Sequence, residues 1–587
     1  MGLLKPTLLP VDYDSWRARP RAERVRTMVV HWGDVGFGTP DAVYLLYVVK
    51  MLAYVAAAVF FVSLTPGLGG FGDVGRWWGE PIVFQKVVLW TLLFEVIGLG
   101  CGFGPLTLRF LPPLGGFLYW LRPGTVRLPP WPDRIPGTRG TTRTALDVVL
   151  YAGVLAAALW ALLAPGARSA GGLAAGVGLI EPARLLPLVV LLPLLGLRDK
   201  AIFLAARAEV YFTLTLTFLL PGPDMIVAAK FVMVALWWGA ATSKLNKHFP
   251  FVISVMMSNN PLLRAKAVKR AFFRGYPDDM RPGPLSEALA RGGTVIEYGV
   301  PLLLVVSRGG VLTAVAAAIM IGFHLLILTS FPLGVPLEWN VFMIFGIAFL
   351  FVHDAAIGPA ALTQPVLVGA LLVAVAAVVI TGNFAPRRVS FLPAMRYYAG
   401  NWDTSLWCLT AEAATKLDAC ITKAAPLPAA QLIRLYGEQA ADLLGHKGMA
   451  FRAMHTHGRA LYGLIGRACG PAHETDYLPA DGEIIAGVVL GWNFGDGHLH
   501  NQQLIDAVQE RCQFAPGQVR VIVLDAQPLQ RQRQRYQLID AATGVFEEGF
   551  VSVGEMVASQ PWIADFPVEV LPAAPAATAP ELGLAEP

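Results

Sequence analysis

Charged residues are scarce in this sequence, since Asp, Glu, Lys and Arg make up only 15% of its 587 residues. Soluble domains average about 25%, and hydrophobic residues here reach 55%. The shortage is concentrated before residue 386, whereas the residues after it have an ordinary soluble composition. The composition therefore excludes a wholly soluble protein. It predicts a polytopic α-helical membrane protein with a soluble C-terminal part.

Cysteine is also rare, with five residues and no C-x-x-C pair. We expect free thiols in a reducing compartment. The sequence lacks G-x-x-x-x-G-K-[ST], and no G-x-G-x-x-G follows a predicted strand, which excludes a P-loop ATPase. Residues 1–40 hold no apolar stretch of the signal-peptide type, so we expect no cleaved leader.

Apolar segments of membrane-spanning length dominate the first two thirds of the chain. Several are shorter than the roughly 20 residues that cross a bilayer upright, so we predict about ten helices, give or take two. The polar residues 198–200 mark either two short helices or one broken helix. The segments lie near 43–63, 83–103, 146–164, 184–198, 201–220, 225–243, 294–306, 310–330, 339–353 and 361–382.

Basic residues orient these segments. They cluster at 1–40, 122–143 and 244–291, and the positive-inside rule places such loops in the cytoplasm. We expect a multi-pass protein of the plasma (inner) membrane with both termini cytoplasmic. The net charge of +5 then reports topology and contact with membrane lipids, and we expect no nucleic-acid partner.

Four regions follow from this reading. The cytoplasmic α+β domain is also the part in which we expect a protein partner to dock. The regions are a basic cytoplasmic segment at 1–42, a transmembrane domain at 43–386, a soluble α+β domain at 387–570 and a disordered Ala/Pro-rich tail at 571–587.

Basic and aromatic residues alternate in R-A-K-A-V-K-R-A-F-F-R-G-Y, residues 264–276. The pattern is typical of a helix lying on anionic headgroups, with Phe272, Phe273 and Tyr276 on the membrane. A solvated basic loop is the alternative.

Ionisable residues inside the apolar segments are the first candidates for function. Lys50 and Glu95 reach similar depths, roughly 10–12 Å into the membrane at 1.5 Å per residue, so we predict a structural ion pair. His324 lies well inside its segment and is either a proton relay or ligand contact, or a histidine hydrogen-bonded between packed helices. Lys244 sits where a hydrophobic helix ends and either reaches the headgroups or takes part in chemistry.

Short motifs around these residues carry a resemblance. W-W-G-A-A-T-S-K-L-N-K-H-F (237–249), E-Y-G-V-P (297–301), G-F-H-L-L-I-L-T-S-F-P (322–332) and R-Y-Y-A-G-N-W (396–402) resemble segments of the vitamin K-dependent gamma-carboxylase and of bacterial proteins with the horizontally transferred transmembrane (HTTM) domain. The whole chain also resembles actinobacterial multi-pass proteins of unknown function, in which G-W-N-F-G-D-G-H-L-H (491–500 here) recurs.

The resemblance implies an HTTM-like core over roughly residues 200–402. In the carboxylase, the matching lysine is the base that starts vitamin K hydroquinone oxygenation. The resemblance therefore implies that Lys244 is a proton acceptor and that His324 and Glu297 belong to the same catalytic set. A quinone-like lipid would then be the cofactor or substrate.

The C-terminal domain shows mixed periodicities. Residues 408–423 and 428–468 predict two or three helices, and 482–493 has strand character. The residues N-F-G-D-G-H-L-H lead through a turn into a helix. Three runs at 519–526, 535–541 and 544–553 predict a three-stranded meander.

Asp496, His498 and His500 form the densest chemical cluster. On a strand, His-x-His directs both imidazoles to one face, which suits a divalent metal, and His455 and His457 repeat the pattern. The alternative is a Gly-rich turn in which Asp496 caps the next helix.

Three classes of function remain open. A membrane enzyme acting on a lipid-like or quinone-like substrate, of carboxylase or epoxidase type, needs Lys244 and His324 beside one closed pocket. A lipid or small-molecule transporter needs buried charges along a continuous path. A membrane scaffold or assembly factor needs neither.

Overall fold

The computed structural model describes residues 2–100, 115–173, 176–330, 337–494 and 497–572. Within these ranges the chain is mainly helical as far as residue 384, and beyond it helices pack on an antiparallel sheet. The polytopic helical fold with a C-terminal sheet region agrees with the expectation from composition.

The first part contains most of the long helices. Leu337–Gly346 continues into a π-helical stretch at Ile347–His353. The helices are α1 (Tyr13–Arg17), α2 (Arg21–Val35), α3 (Asp41–Ser63), α4 (Val74–Trp77), α5 (Pro81–Val96), α6 (Gly115–Trp120), α7 (Ala145–Leu162), α8 (Pro182–Arg198), α9 (Lys200–Ala205), α10 (Tyr211–Thr217), α11 (Gly222–Ser243), α12 (Phe249–Asn259), α13 (Lys266–Arg270), α14 (Pro284–Ser307), α15 (Gly310–Ser330), α16 (Leu337–Gly346) and α17 (Pro365–Phe384).

Six helices in the described ranges are long and apolar enough to cross a membrane: α3, α7, α11, α14, α15 and α17. The apolar segments predicted near 83–103, 184–198 and 339–353 form the shorter helices α5, α8 and α16 with its π-helical extension. The segment 201–220 is broken into α9 and α10 at Arg207, which adopts φ +50°. The total of ten crossings stays a prediction.

The polar residues between α8 and α9 separate two helices. Asp199 ends the first and caps the second, because its side chain accepts a hydrogen bond from the amide of Ala201 at 3.0 Å. Arg143, from the basic loop 122–143, pairs with Asp199, and both side chains are fully buried. Arg127, from the same loop, pairs with Asp147 at 3.4 Å, and both of these side chains are buried. This part of the basic loop is therefore anchored to the helices by buried ion pairs.

Helix α14 is longer than the sequence predicted, because it begins at Pro284 and not near residue 294. Proline suits the first helical position, where its missing N–H is not needed. Glu297 consequently lies about 20 Å into the helix and not at its start, and Pro301 lies inside it. Since Pro301 has no N–H, the backbone carbonyl of Glu297 loses its usual helical partner.

The loop 244–291 is folded against the rest of the protein. It contains α12, α13 and a hairpin of β1 (Phe273–Gly275) and β2 (Asp279–Pro282). Phe272 and Phe273 are buried, which does not fit a helix that presents these rings to a membrane surface. Helix α12 instead packs on α2, where the Trp32 indole donates to the Val255 carbonyl at 3.3 Å.

The C-terminal part consists of short helices and an antiparallel sheet. The helices are α18 (Ala411–Cys420), α19 (Pro428–Tyr436), α20 (Glu438–Met454), α21 (Thr456–Gly463), α22 (Ile465–Cys469), α23 (His473–Asp476), α24 (Gly482–Leu490), α25 (Gln502–Cys512) and α26 (Val553–Ala558). The strands are β3 (Thr404–Leu409), β4 (Leu478–Asp481), β5 (Val519–Leu524), β6 (Arg533–Asp540), β7 (Gly544–Ser552) and β8 (Val568–Val570).

In the described residues these strands form one sheet in the order β4-β3-β5-β6-β7-β8. The predicted meander is present as β5, β6 and β7, with Ile522 opposite Leu538. Two other predictions are wrong. Within the strand predicted at 482–493, residues 482–490 form helix α24, which Asp481 caps by accepting from the Glu483 amide at 2.9 Å. The start of the helical region predicted at 408–423 belongs to β3. Fully buried aliphatic runs have no periodicity that separates strand from helix.

The C-terminal part packs directly on one end of the membrane helices. The Trp120 indole donates to the Leu490 carbonyl at 2.9 Å. His248, just before α12, bonds Thr456 at 2.6 Å and Gln527 at 2.5 Å. The end of α11 that carries Lys244 therefore lies on the side of the membrane part that faces the C-terminal sheet.

Candidate functional site

A cavity of about 280 Å³ lies among α11, α12, α14, α15 and α16, and the C-terminal part closes one side with Tyr397, Tyr398 and Phe494. Most of its wall is apolar, as in typical small-molecule sites. Its ionisable side chains are Arg207, Lys244, Glu297 and His324. The structure thus brings together the three residues that the sequence analysis named as one catalytic set.

Lys244 and Glu297 face each other across two helices. Lys244 is the C-cap residue that directly follows α11. Its ammonium group lies 2.5 Å and 2.6 Å from the two carboxylate oxygens of Glu297. Their side chains are 7% and 4% exposed, so Lys244 does not reach the headgroups. The Phe249 ring lies 4.8 Å from the ammonium nitrogen and adds a cation–π contact. Lys244 and Glu297 therefore form a buried, doubly hydrogen-bonded ion pair on the cavity wall.

His324 is held between two partners. The indole of Trp237 donates to its Nε2 at 3.0 Å, and its Nδ1 lies 2.9 Å from Oδ1 of Asn340. An indole N–H can only donate, so Nε2 must be an acceptor and the proton must sit on Nδ1. The imidazole is therefore neutral, in a fixed tautomer, with both ring nitrogens engaged.

Arg207 is a cavity residue that the sequence analysis missed. Its guanidinium donates to Glu209 at 2.9 Å, and the same carboxylate accepts from the Tyr397 hydroxyl at 3.0 Å. The rings of Trp339 and Phe494 lie 4.5 Å and 5.8 Å from it. The signal in the sequence was an arginine inside the apolar segment 201–220, which is costly unless it is paired.

The cavity is therefore apolar with its charges neutralised in pairs. Lys244 is matched by Glu297, and Arg207 by Glu209. A buried and unpaired charge on a ligand would be costly here. The arrangement suits a hydrophobic molecule with an uncharged polar head that can exchange hydrogen bonds or a proton with the wall.

Comparison with protein families gives a match that covers nearly the whole chain. The model of a family described as "Transmembrane protein of unknown function (DUF3556)" matches residues 1–571. The chain belongs to the DUF3556 family. No curated protein and no solved structure matches it. Membership confirms that the chain is a transmembrane protein of a family of unknown function.

In this member of the DUF3556 family, Lys50 has a partner that the sequence did not single out. Its ammonium nitrogen lies 3.0 Å from a carboxylate oxygen of Glu338 and donates to the carbonyl of Gly100 at 2.9 Å. The predicted partner Glu95 is also fully buried. The pair of Lys50 with Glu95 stays a prediction beside the pair that the structure shows.

The metal site predicted for the C-terminal part falls partly on Asp496, which lies outside the described residues. His498 lies 2.9 Å from Asp403. Burial raises the pKa of Asp403, but the contact with His498, the charge of Arg396 and the hydrogen bond from the Ala526 amide together leave the pKa below its ordinary value. Across the described ranges, no three His, Cys, Asp or Glu residues come together as metal ligands.

His500 makes a separate contact with Ser405. The Ser405 hydroxyl donates to the His500 carbonyl at 3.0 Å, so its oxygen accepts from Nδ1 of the ring at 2.9 Å. Burial lowers the pKa of His500 to about 4. Helix α25, which follows, is capped by Asn501, whose side chain accepts from the Gln503 amide. These contacts fit a structural role for this histidine of the DUF3556 protein.

Proposed function

We propose that the protein is a membrane enzyme that binds a lipid-like or quinone-like molecule in this cavity. One observation carries the proposal: Lys244, Glu297 and His324 line the same apolar cavity. Burying three ionisable side chains beside an apolar cavity is costly. Membrane proteins retain such groups mainly where they serve ligands or protons.

The Lys244–Glu297 pair supplies a means of moving a proton. When the ammonium proton passes to the carboxylate along the 2.5 Å hydrogen bond, an ion pair becomes a neutral amine beside a neutral acid. A dry environment favours neutral forms. The neutral amine of Lys244 can then accept a proton from a ligand in the cavity, and Glu297 holds the first proton until it is returned.

His324 acts in this proposal by orienting the ligand. Both ring nitrogens are occupied by Trp237 and Asn340, so a base role would require one of these bonds to break. The fixed ring instead positions the amide of Asn340, which also lines the cavity. We therefore assign His324 as a positioning residue and Lys244 as the proton acceptor.

The resemblance to HTTM proteins and to the gamma-carboxylase supports a finer version, in which the reaction is of carboxylase or epoxidase type. By this resemblance, Lys244 corresponds to the lysine that is the base in the carboxylase. Two residues depart from the carboxylase pattern, since Asn246 and Phe249 stand where that enzyme has Asp and Trp. Phe249 contributes the ring beside the Lys244 ammonium, so one departure lies directly at the proposed site.

Transport is the second candidate. Leu289 and Leu326 line the cavity and are 38% and 45% exposed. A ligand that enters by such a route and leaves on the other side would make the protein a lipid carrier. Localisation in the inner membrane with cytoplasmic termini remains part of the proposal, on the charge distribution alone.

Mass spectrometry of co-purifying molecules tests the proposal. The wild type in nanodiscs is compared with Lys244→Gln and His324→Asn at a temperature at which each variant is folded. Lys230→Gln is the control, because Lys230 is a buried lysine of the same helix whose ammonium donates to the Asp354 and Ile357 carbonyls at 2.8 Å and 2.6 Å. Lys230 does not belong to the cavity wall.

We expect one lipid or quinone to co-purify with the wild type and the control and to be depleted in both cavity variants. Its identity would supply the substrate class, and its turnover by the wild type would separate an enzyme from a carrier. The same lipid content in all folded variants would contradict a ligand role for the cavity and would favour a scaffold.

A further inference from the structure

The cavity wall is thin between α14 and α15. Four cavity-lining residues are exposed: Ala288, Leu289 and Gly292 on α14, and Leu326 on α15. A Cβ atom added at Gly292 would meet nothing within 4 Å. At this place the cavity wall therefore consists of exposed side chains and a glycine.

This thin wall belongs to two candidate membrane spans. In the apolar 18-residue stretch of α14 only 28% is buried inside the protein, and the share is the same in α15. The remainder is suited to contact with lipid. Glu287 and Arg291 form an exposed pair at 3.3 Å on the same stretch of α14. Charged side chains at a helix end are typical of the headgroup level.

The cavity is too small to enclose a complete long-chain lipid. Its 280 Å³ lies just below the roughly 300–1,000 Å³ of pockets that enclose drug-sized ligands. A head group and the first part of a chain fit beside Lys244 and Glu297. The rest of a long chain must leave the cavity, and the wall is thinnest between α14 and α15.

We propose that the gap between α14 and α15, over Gly292 and Leu326, is a lateral entrance through which a membrane lipid enters head first from the bilayer. The lipid has an uncharged polar head, because the cavity cations are already matched by Glu297 and Glu209, and a hydrocarbon or isoprenoid chain that remains in the entrance. This inference rests on the proposed function and adds the route and the chemical class of the ligand.

Gly292→Trp places a bulky side chain across the entrance. The helix tolerates the change, since glycine is the poorest non-proline helix former and the added Cβ atom meets open space. Gly299→Trp is the matched control. Gly299 lies about 10 Å further along the same face of α14, has open space as well and is not part of the cavity wall.

A second pair of variants tests the entrance from the α15 side. Leu326→Trp enlarges an exposed wall residue, and Leu325→Trp changes its neighbour, which is 48% exposed and does not line the cavity. Either pair suffices if a variant of the other fails to fold.

The probe is a long-chain fatty alcohol with a diazirine close to its hydroxyl group, incorporated into phosphatidylcholine vesicles that contain the protein. After irradiation, crosslinks are mapped to the cavity-lining Met256 and Met343 and to their neighbours. We expect labelling in the wild type and in both controls. In Gly292→Trp and Leu326→Trp the rate at which the probe labels the cavity should fall about tenfold, because an obstructed approach slows association.

Equal labelling in all variants would contradict the proposed entrance but would still agree with a cavity that binds lipid. An equal loss in the controls and in the entrance variants would also overturn it, since the effect would not depend on position. No cavity labelling in the wild type, together with no co-purifying ligand, would overturn the proposed function and the entrance with it.

Discussion

The Lys244–Glu297 pair makes the sharpest prediction about this protein. Removing one partner by Lys244→Met or Glu297→Leu leaves the other charge buried with at most 7% of its side chain exposed. Breaking a buried pair in this way costs about 3–5 kcal/mol. Replacing both residues by apolar ones of similar volume is neutral or stabilising in other proteins, so we expect the double variant to lie within about 1 kcal/mol of the wild type.

Equilibrium unfolding in detergent measures the four free energies of this double-mutant cycle. The exposed pair Glu287–Arg291, whose side chains are 41% and 82% exposed, serves as the control. Arg291→Met should change stability little, because solvent screens such pairs. Single variants that are as stable as the wild type, or a double variant that loses the sum of the two single effects, would refute a buried and coupled pair.

The same cycle separates structure from chemistry. A double variant that folds as well as the wild type and still loses the co-purifying ligand or its turnover assigns a function to the pair. A double variant that retains both would make the pair purely structural.

Three further predictions concern other contacts. The pKa of His500 is about 4 in the folded protein, against about 6.5 when it is unfolded. The unfolded chain then binds more protons between these values, so stability should decrease on the order of 3 kcal/mol as pH falls from 6.5 to 4, and His500→Gln should flatten that slope in acid titration. Asp224 accepts three hydrogen bonds from Thr363 and the start of α17, so Asp224→Ala should cost about 1–2 kcal/mol in thermal unfolding and Asp224→Asn less. Trp237→Phe leaves Nε2 of His324 buried without its donor and should cost about 1–3 kcal/mol, whereas an unchanged stability would place water at that nitrogen.

The sequence located the cavity residues without showing that they meet. Lys244, Glu297 and His324 each stand out because a charged or polar side chain interrupts an apolar segment, which is costly in a membrane. Their contacts depend on how α11, α14 and α15 pack. Arg207 was equally visible in its apolar segment, but its role depends on Glu209, Trp339 and Tyr397, which come together only in the fold.

The contacts of Lys50 show the same limit. The sequence predicted Glu95 from matched depth in two neighbouring segments, and that pair stays a prediction, while the structure adds Glu338, from a helix almost 300 residues away, at 3.0 Å. Depth along a helix follows from counting residues at 1.5 Å each. Which helices are neighbours does not follow from it.

By itself, the sequence determined that this is a polytopic membrane protein, because hydropathy and charge are properties of the residues themselves. It also determined the meander β5-β6-β7, because alternating patterns between turns indicate strands. Only the tertiary structure decided that 482–490 is a helix, that α14 begins at Pro284, and that Lys244, Glu297 and His324 share one cavity. The reason is that buried aliphatic runs have no period of their own, and that contacts between distant helices are fixed by packing, which no local pattern encodes.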